Sequence, residues 1–67
     1  MDISSLPEDL KFEIRLQVAL LRNAERIRDV SRNPEKFSGY IAKRKEAIAG
    51  LTGNEAEILY EGKKIYP

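Results

Sequence analysis

Two of the most chemically versatile residue types are missing. The 67-residue sequence contains no cysteine and no histidine. The first absence excludes disulfide staples and thiolate metal ligands. The second removes imidazole ligands and the commonest general base. An excess of one charge is missing as well. Twelve basic and 11 acidic residues leave a formal charge of +1, a balance that demands neither nucleic acid nor an acidic membrane as partner. No apolar run approaches the roughly 20 residues of a membrane span. Met1-Asp2-Ile3-Ser4-Ser5 lacks the basic start and apolar stretch of a signal peptide. By elimination the expected setting is the cytoplasm, without a membrane and without a cofactor.

A chain this short forms a single domain over residues 1–67. Such a domain buries only about 60% of the surface that its unfolded chain exposes, so its stability is marginal without a staple. With disulfides and metals excluded, association with a second chain is the staple that remains.

What the sequence does have is apolar residues, 42% of the total, set in helical order. Residues 1–6 read as a leader. Helix 1 is predicted over residues 7–31, opened by a Ser5/Glu8 capping box and by Pro7 in the first turn. At about 100° per residue from Leu10, one apolar flank (Leu10, Ile14, Val18, Leu21) spans roughly 0–80°. A second flank (Phe12, Leu16, Ala19, Leu20, Ala24, Ile27) spans roughly 180–320°. So wide an arc must be covered on more than one side. The expected cover for Leu10, Ile14, Val18 and Leu21 is a second copy of the chain. Gln17 and Asn23 lie inside the arc, and buried amides of this kind set the register between helices.

Asn33-Pro34-Glu35 marks the next boundary, combining a favoured cap, a residue suited to the first helical position and a charge suited to the dipole. Helix 2 is predicted over residues 34–49. Its stripe is Phe37, Tyr40, Ile41, Ala47, Ile48 and Leu51, and Gly50 or Gly53 closes it. The short link favours an antiparallel hairpin of helices. Arg44 falls inside the stripe, within reach of Glu25 or Gln17. Either its stem packs while the guanidinium reaches water, or it pairs with Glu25 to orient the helices. Residues 57–66 read as a β-hairpin turning at Glu61-Gly62. A two-residue loop places Ile58 opposite Ile65; a longer loop with a bulge shifts the pairing by one. A lone hairpin is marginal in water, so it must rest on the helices or pair with another strand. The predicted fold is therefore mainly α, a small α+β domain with a long first helix, a helical hairpin and a C-terminal β-hairpin.

Two patterns point toward nucleic acid. Lys11, Arg15, Arg22 and Arg26, with Arg32 beyond, form a strip that suits a phosphate backbone. Glu8, Glu13, Glu25 and Asp29 interrupt it, as on an ordinary solvated face. The element order is also that of a winged helix-turn-helix, with Lys36, Lys43 and Lys45 on the reading helix and Lys63-Lys64 on the wing. A first helix near 25 residues is too long for that motif, and a near-neutral chain suits DNA poorly. Gly50-Leu51-Thr52-Gly53 has the spacing of a backbone-clamping GxxG loop but reads more simply as a helix cap.

For catalysis the chain offers little. Glu55, Glu57 and Glu61, or Asp9 with Glu13, suit at most a weakly held hard cation. There is no phosphate loop, no nucleophile elbow and no base for Ser4, Ser5 or Ser38. Tyr40 is expected in the core, while Tyr60 and Tyr66 are candidate interface anchors. The expectation is a non-catalytic, homodimeric protein-binding module, with a small nucleic-acid-binding regulator as the rival.

Overall fold

The structure, a computed structural model, describes residues 1–67. It contains α1 (Glu8–Val30), a 3-10 turn over Pro34–Phe37, α2 (Ser38–Thr52), β1 (Ile58–Tyr60) and β2 (Lys63–Tyr66). The domain is a small α+β fold, with α2 packed back on the long α1 and an antiparallel β-hairpin after them.

Both helices differ from expectation at their ends. Pro7 and Ser31 flank α1 rather than belonging to it, and no side chain caps its N-terminus, so the Ser5/Glu8 box does not form. Glu8 and Asp9 in the first turn and Arg28 in the last match the helix dipole instead. The second helix begins as a tight turn, in which the Lys36 amide donates to the Asn33 carbonyl at 3.4 Å. It then runs past Ala49 and through Gly50 to Thr52, whose buried hydroxyl donates to the Ile48 carbonyl at 2.8 Å. Gly53, at φ +67°, is the left-handed cap, and the Asn54 amide closes the end on the Ala49 carbonyl at 2.8 Å.

Glu61 and Gly62 both have positive φ, 52° and 79°, the geometry of the tight hairpin turn whose twist matches its strands. Tyr60 pairs with Lys63 and Leu59 with Lys64. A bulge then shifts the register, so that Ile58 meets Tyr66 and not Ile65. The loop is the two-residue one, yet the shift expected only of a longer loop occurs further down the strands.

The supposed leader is tied to the hairpin by an isolated bridge. Asp2 bridges Leu59 in parallel, with the Ile3 amide donating to the Leu59 carbonyl at 2.9 Å and the Leu59 amide to the Met1 carbonyl at 2.7 Å. The Asp2 carboxylate accepts from the Ser4 amide at 2.9 Å, from the Ser4 hydroxyl and from the Gly62 amide at 3.1 Å. The Ser4 hydroxyl in turn accepts from the Glu61 amide at 2.7 Å. This clasp braces a hairpin of three and four residues, which is marginal by itself. It also drives Ile3, itself fully buried, into the core that it shares with Ile14, Val18, Leu21, Ala24, Ile41, Ile48 and Ile58.

Candidate functional site

The core uses one side of α1 and leaves another bare. Ile14, Gln17, Val18, Leu21 and Ala24 are buried. They cover an arc from about 320° through 0° to 80° on the same angular scale. Leu10 is partly buried against the same cluster. The flank assigned to a second chain is thus filled by the chain's own α2, N-terminal segment and hairpin. The reason is the clasp: it brings Ile3 and Ile58 onto that flank, a cover that local pattern does not reveal.

The second flank is the open one. Phe12 is 65% exposed, Leu16 38%, Ile27 42% and Val30 82%. Ala19 is exposed as well, and Leu20 lies half-buried at the margin. Asn23, inside this flank, is exposed. These residues fall at about 180–280°, nearly opposite the core. Tyr40, expected in the core, is 43% exposed and borders the flank from α2. Between the helices lies an apolar groove of about 280 Å³ lined by Leu20, Asn23, Ala24, Ile27, Phe37 and Tyr40.

Arg44 does not pair with Glu25. Its Nη1 donates to Oε1 of Gln17 at 2.9 Å, and its guanidinium lies over the Tyr40 ring at 5.0 Å. Gln17 donates Nε2 to Glu13 at 3.0 Å. Glu25 instead meets Arg22 one turn away, at 3.4 Å. An amide can accept from Arg44 without the desolvation of a second charge, which favours Gln17 at this level of the helix pair.

The basic strip is largely engaged within the chain. Lys11 meets Glu8 at 2.8 Å and the Ser4 carbonyl at 3.3 Å. The hydrogen bond to Glu8 holds its ammonium above the ordinary lysine range. Arg15 stacks over the Tyr60 ring at 4.4 Å and Arg22 over Tyr66 at 5.9 Å. Tyr60 and Tyr66 are half-buried against the core and serve the chain's own packing. Arg26 is exposed and forms no ion pair. Lys43 and Lys45 are exposed, but two residues apart they lie about 200° apart around α2 and share no face. Lys63 and Lys64 are exposed on β2. No three carboxylates converge where a metal ion would sit. No helix is long and apolar enough to cross a membrane.

Comparison with protein-family models, with curated proteins and with solved structures returns no match to this chain.

Proposed function

We propose that this chain is a non-catalytic protein-binding module whose working surface is the outer face of α1 with the groove beside it. The observation that carries the reading is the bare apolar flank of a helix whose other side is already packed. Four large apolar side chains, Phe12, Leu16, Ile27 and Val30, stand exposed on that flank. Contiguous exposed apolar patches of this kind mark interaction sites more often than scattered single residues do. The recognition mode is a helix laid along an apolar seam, anchored at i, i+4 and i+7 spacings. Gln17 and Arg44 act behind this surface, holding α2 in register so that the groove keeps its shape.

The test compares the chain with a Phe12→Ser/Leu16→Ser/Ile27→Ser variant. These side chains lie outside the buried core, so the helical signal and cooperative melting are expected to survive. Whatever the chain binds, itself or another protein, should be lost from the variant. The reading fails if the chain stays monomeric at every concentration and both proteins capture the same partners. The nucleic-acid rival is weaker, because Lys11, Arg15 and Arg22 are already held by groups of the chain. Salt-sensitive retention on DNA, abolished by Arg15→Ala with Arg22→Ala, would restore it.

A further inference from the structure

The groove has the form of a socket for one side chain. Its α1 residues, Leu20, Asn23, Ala24 and Ile27, stand at i, i+3, i+4 and i+7. That diamond of four is the hole into which a knob from a facing helix inserts in coiled-coil packing. Phe37 and Tyr40 deepen it from the α2 side. An apolar cavity of about 150 Å³ holds a benzene molecule. A groove of about 280 Å³ therefore has room for a phenyl ring. The chain itself displays a matching knob on the same flank, Phe12, 65% exposed.

Resting on the proposed binding face, we infer that its occupant is a second copy of this chain, laid antiparallel along α1, with each Phe12 seated in the other's groove. A two-fold axis passing between Gln17 and Val18 relates knob to socket. It brings Phe12 opposite the partner's Asn23 and Leu16 opposite the partner's Ala19, whose small side chain lets the helices approach.

Charge complementarity selects the same register. Asp9 lies one turn before Phe12, and Arg26 one turn after Asn23. Both are exposed, and neither forms an ion pair within its own chain. The same two-fold brings Asp9 level with the partner's Arg26 along the axis, where the long arginine side chain reaches across the seam, and repeats the pair at the other end. A parallel arrangement in register would instead set Asp9 against the partner's Asp9 and Arg26 against the partner's Arg26. Like charges placed opposite each other disfavour such an assembly.

The absence of native cysteine allows a direct test. Two single variants, Asp9→Cys and Arg26→Cys, are oxidised separately and as a mixture. In the antiparallel pair, identical positions at residue 9 are about 25 Å apart along the axis, far beyond disulfide reach. A cross-linked dimer should therefore form only in the mixture. In parallel, sedimentation equilibrium of the unmodified chain should give the mass of two copies. Asp9→Arg should weaken that dimer about tenfold, and adding Arg26→Asp in the same chain should restore it. A dimer in which each single-cysteine chain cross-links with itself overturns the antiparallel arrangement while leaving the binding face intact. A monomer at every concentration overturns self-pairing altogether. The face is then judged by whether the triple serine variant loses a different protein.

Discussion

Arg44 of α2 donates to Gln17 of α1 at 2.9 Å, and Gln17 passes the contact on to Glu13 at 3.0 Å. This chain of polar groups crosses the helix pair near the middle of both helices. It needs all its members. The Nε of Arg44 is buried without a partner, so the guanidinium depends on what remains to it, the Gln17 oxygen and the face of Tyr40.

Replacing Gln17 by Ala should therefore lower stability by about 1–3 kcal/mol, through loss of a hydrogen bond to a charged, part-buried guanidinium. Arg44→Met in the same background should relieve part of that loss. Denaturant unfolding of the two single variants and the double variant checks this, with a coupling above about 0.5 kcal/mol expected for side chains in contact. Strict additivity would show that the bond contributes nothing.

Ile3 provides a second check, because only its place in the fold distinguishes it from any terminal residue. Ile3→Ala should cost about 2–5 kcal/mol, as for other fully buried aliphatic side chains. Phe12→Ala, on the open flank, should change monomer stability by no more than about 0.5 kcal/mol. Urea titrations at low protein concentration separate the two.

The Asp2 carboxyl is held below its ordinary value, first by the hydrogen bond from the Ser4 hydroxyl, then by those from the Ser4 and Gly62 amides. A carboxylate with a folded pKa below its unfolded one stabilises the fold in full above the unfolded pKa. That contribution is lost as pH falls through the folded pKa. The stability difference between the natural chain and Asp2→Asn should hold constant at neutral pH and shrink below about pH 4. Melting temperatures of both, followed from pH 7 downward, test this. A difference that grows on acidification would contradict it.

Glu61 occupies the left-handed region at φ +52°, where a side chain costs about 1–2 kcal/mol. Asparagine tolerates that conformation and is the favoured residue before glycine in such turns. Glu61→Asn should raise stability by up to about 1 kcal/mol, seen as a higher denaturation midpoint with an unchanged slope. The amide that bonds Ser4 is retained in the variant.

The parts of the fold that were legible in the sequence are those written locally. The periodicity of α1 placed it within one residue at each end, Asn33-Pro34 marked the next boundary, and Glu61-Gly62 announced the turn. Long-range pairing was not legible. Nothing near Ile3 indicates that it meets Leu59, so the sequence alone makes the N-terminal segment a leader and leaves the Leu10–Leu21 flank to a second chain. Both apolar flanks of α1 were visible, but which one the chain fills itself depends on that distant strand. The Arg44 partner was open for a related reason: Gln17 and Glu25 both lie within its reach, and only the packed geometry selects Gln17. The socket residues Leu20, Asn23, Ala24 and Ile27 carry the spacing of a helix seam, a signal present in the sequence but hidden inside the wide arc.

The parallel bridge between Asp2 and Leu59 ties together segments from opposite ends of the polypeptide. A ribbon of three and four residues has too little of its own to persist once that tie opens. Terminal segment and ribbon should therefore detach as one cooperative unit, while the two helices, whose contacts are closer in sequence, stay assembled longer. In deuterated water, the backbone protons of Ile3 and Leu59 would then exchange at matching rates, both faster than those in the middle of α1.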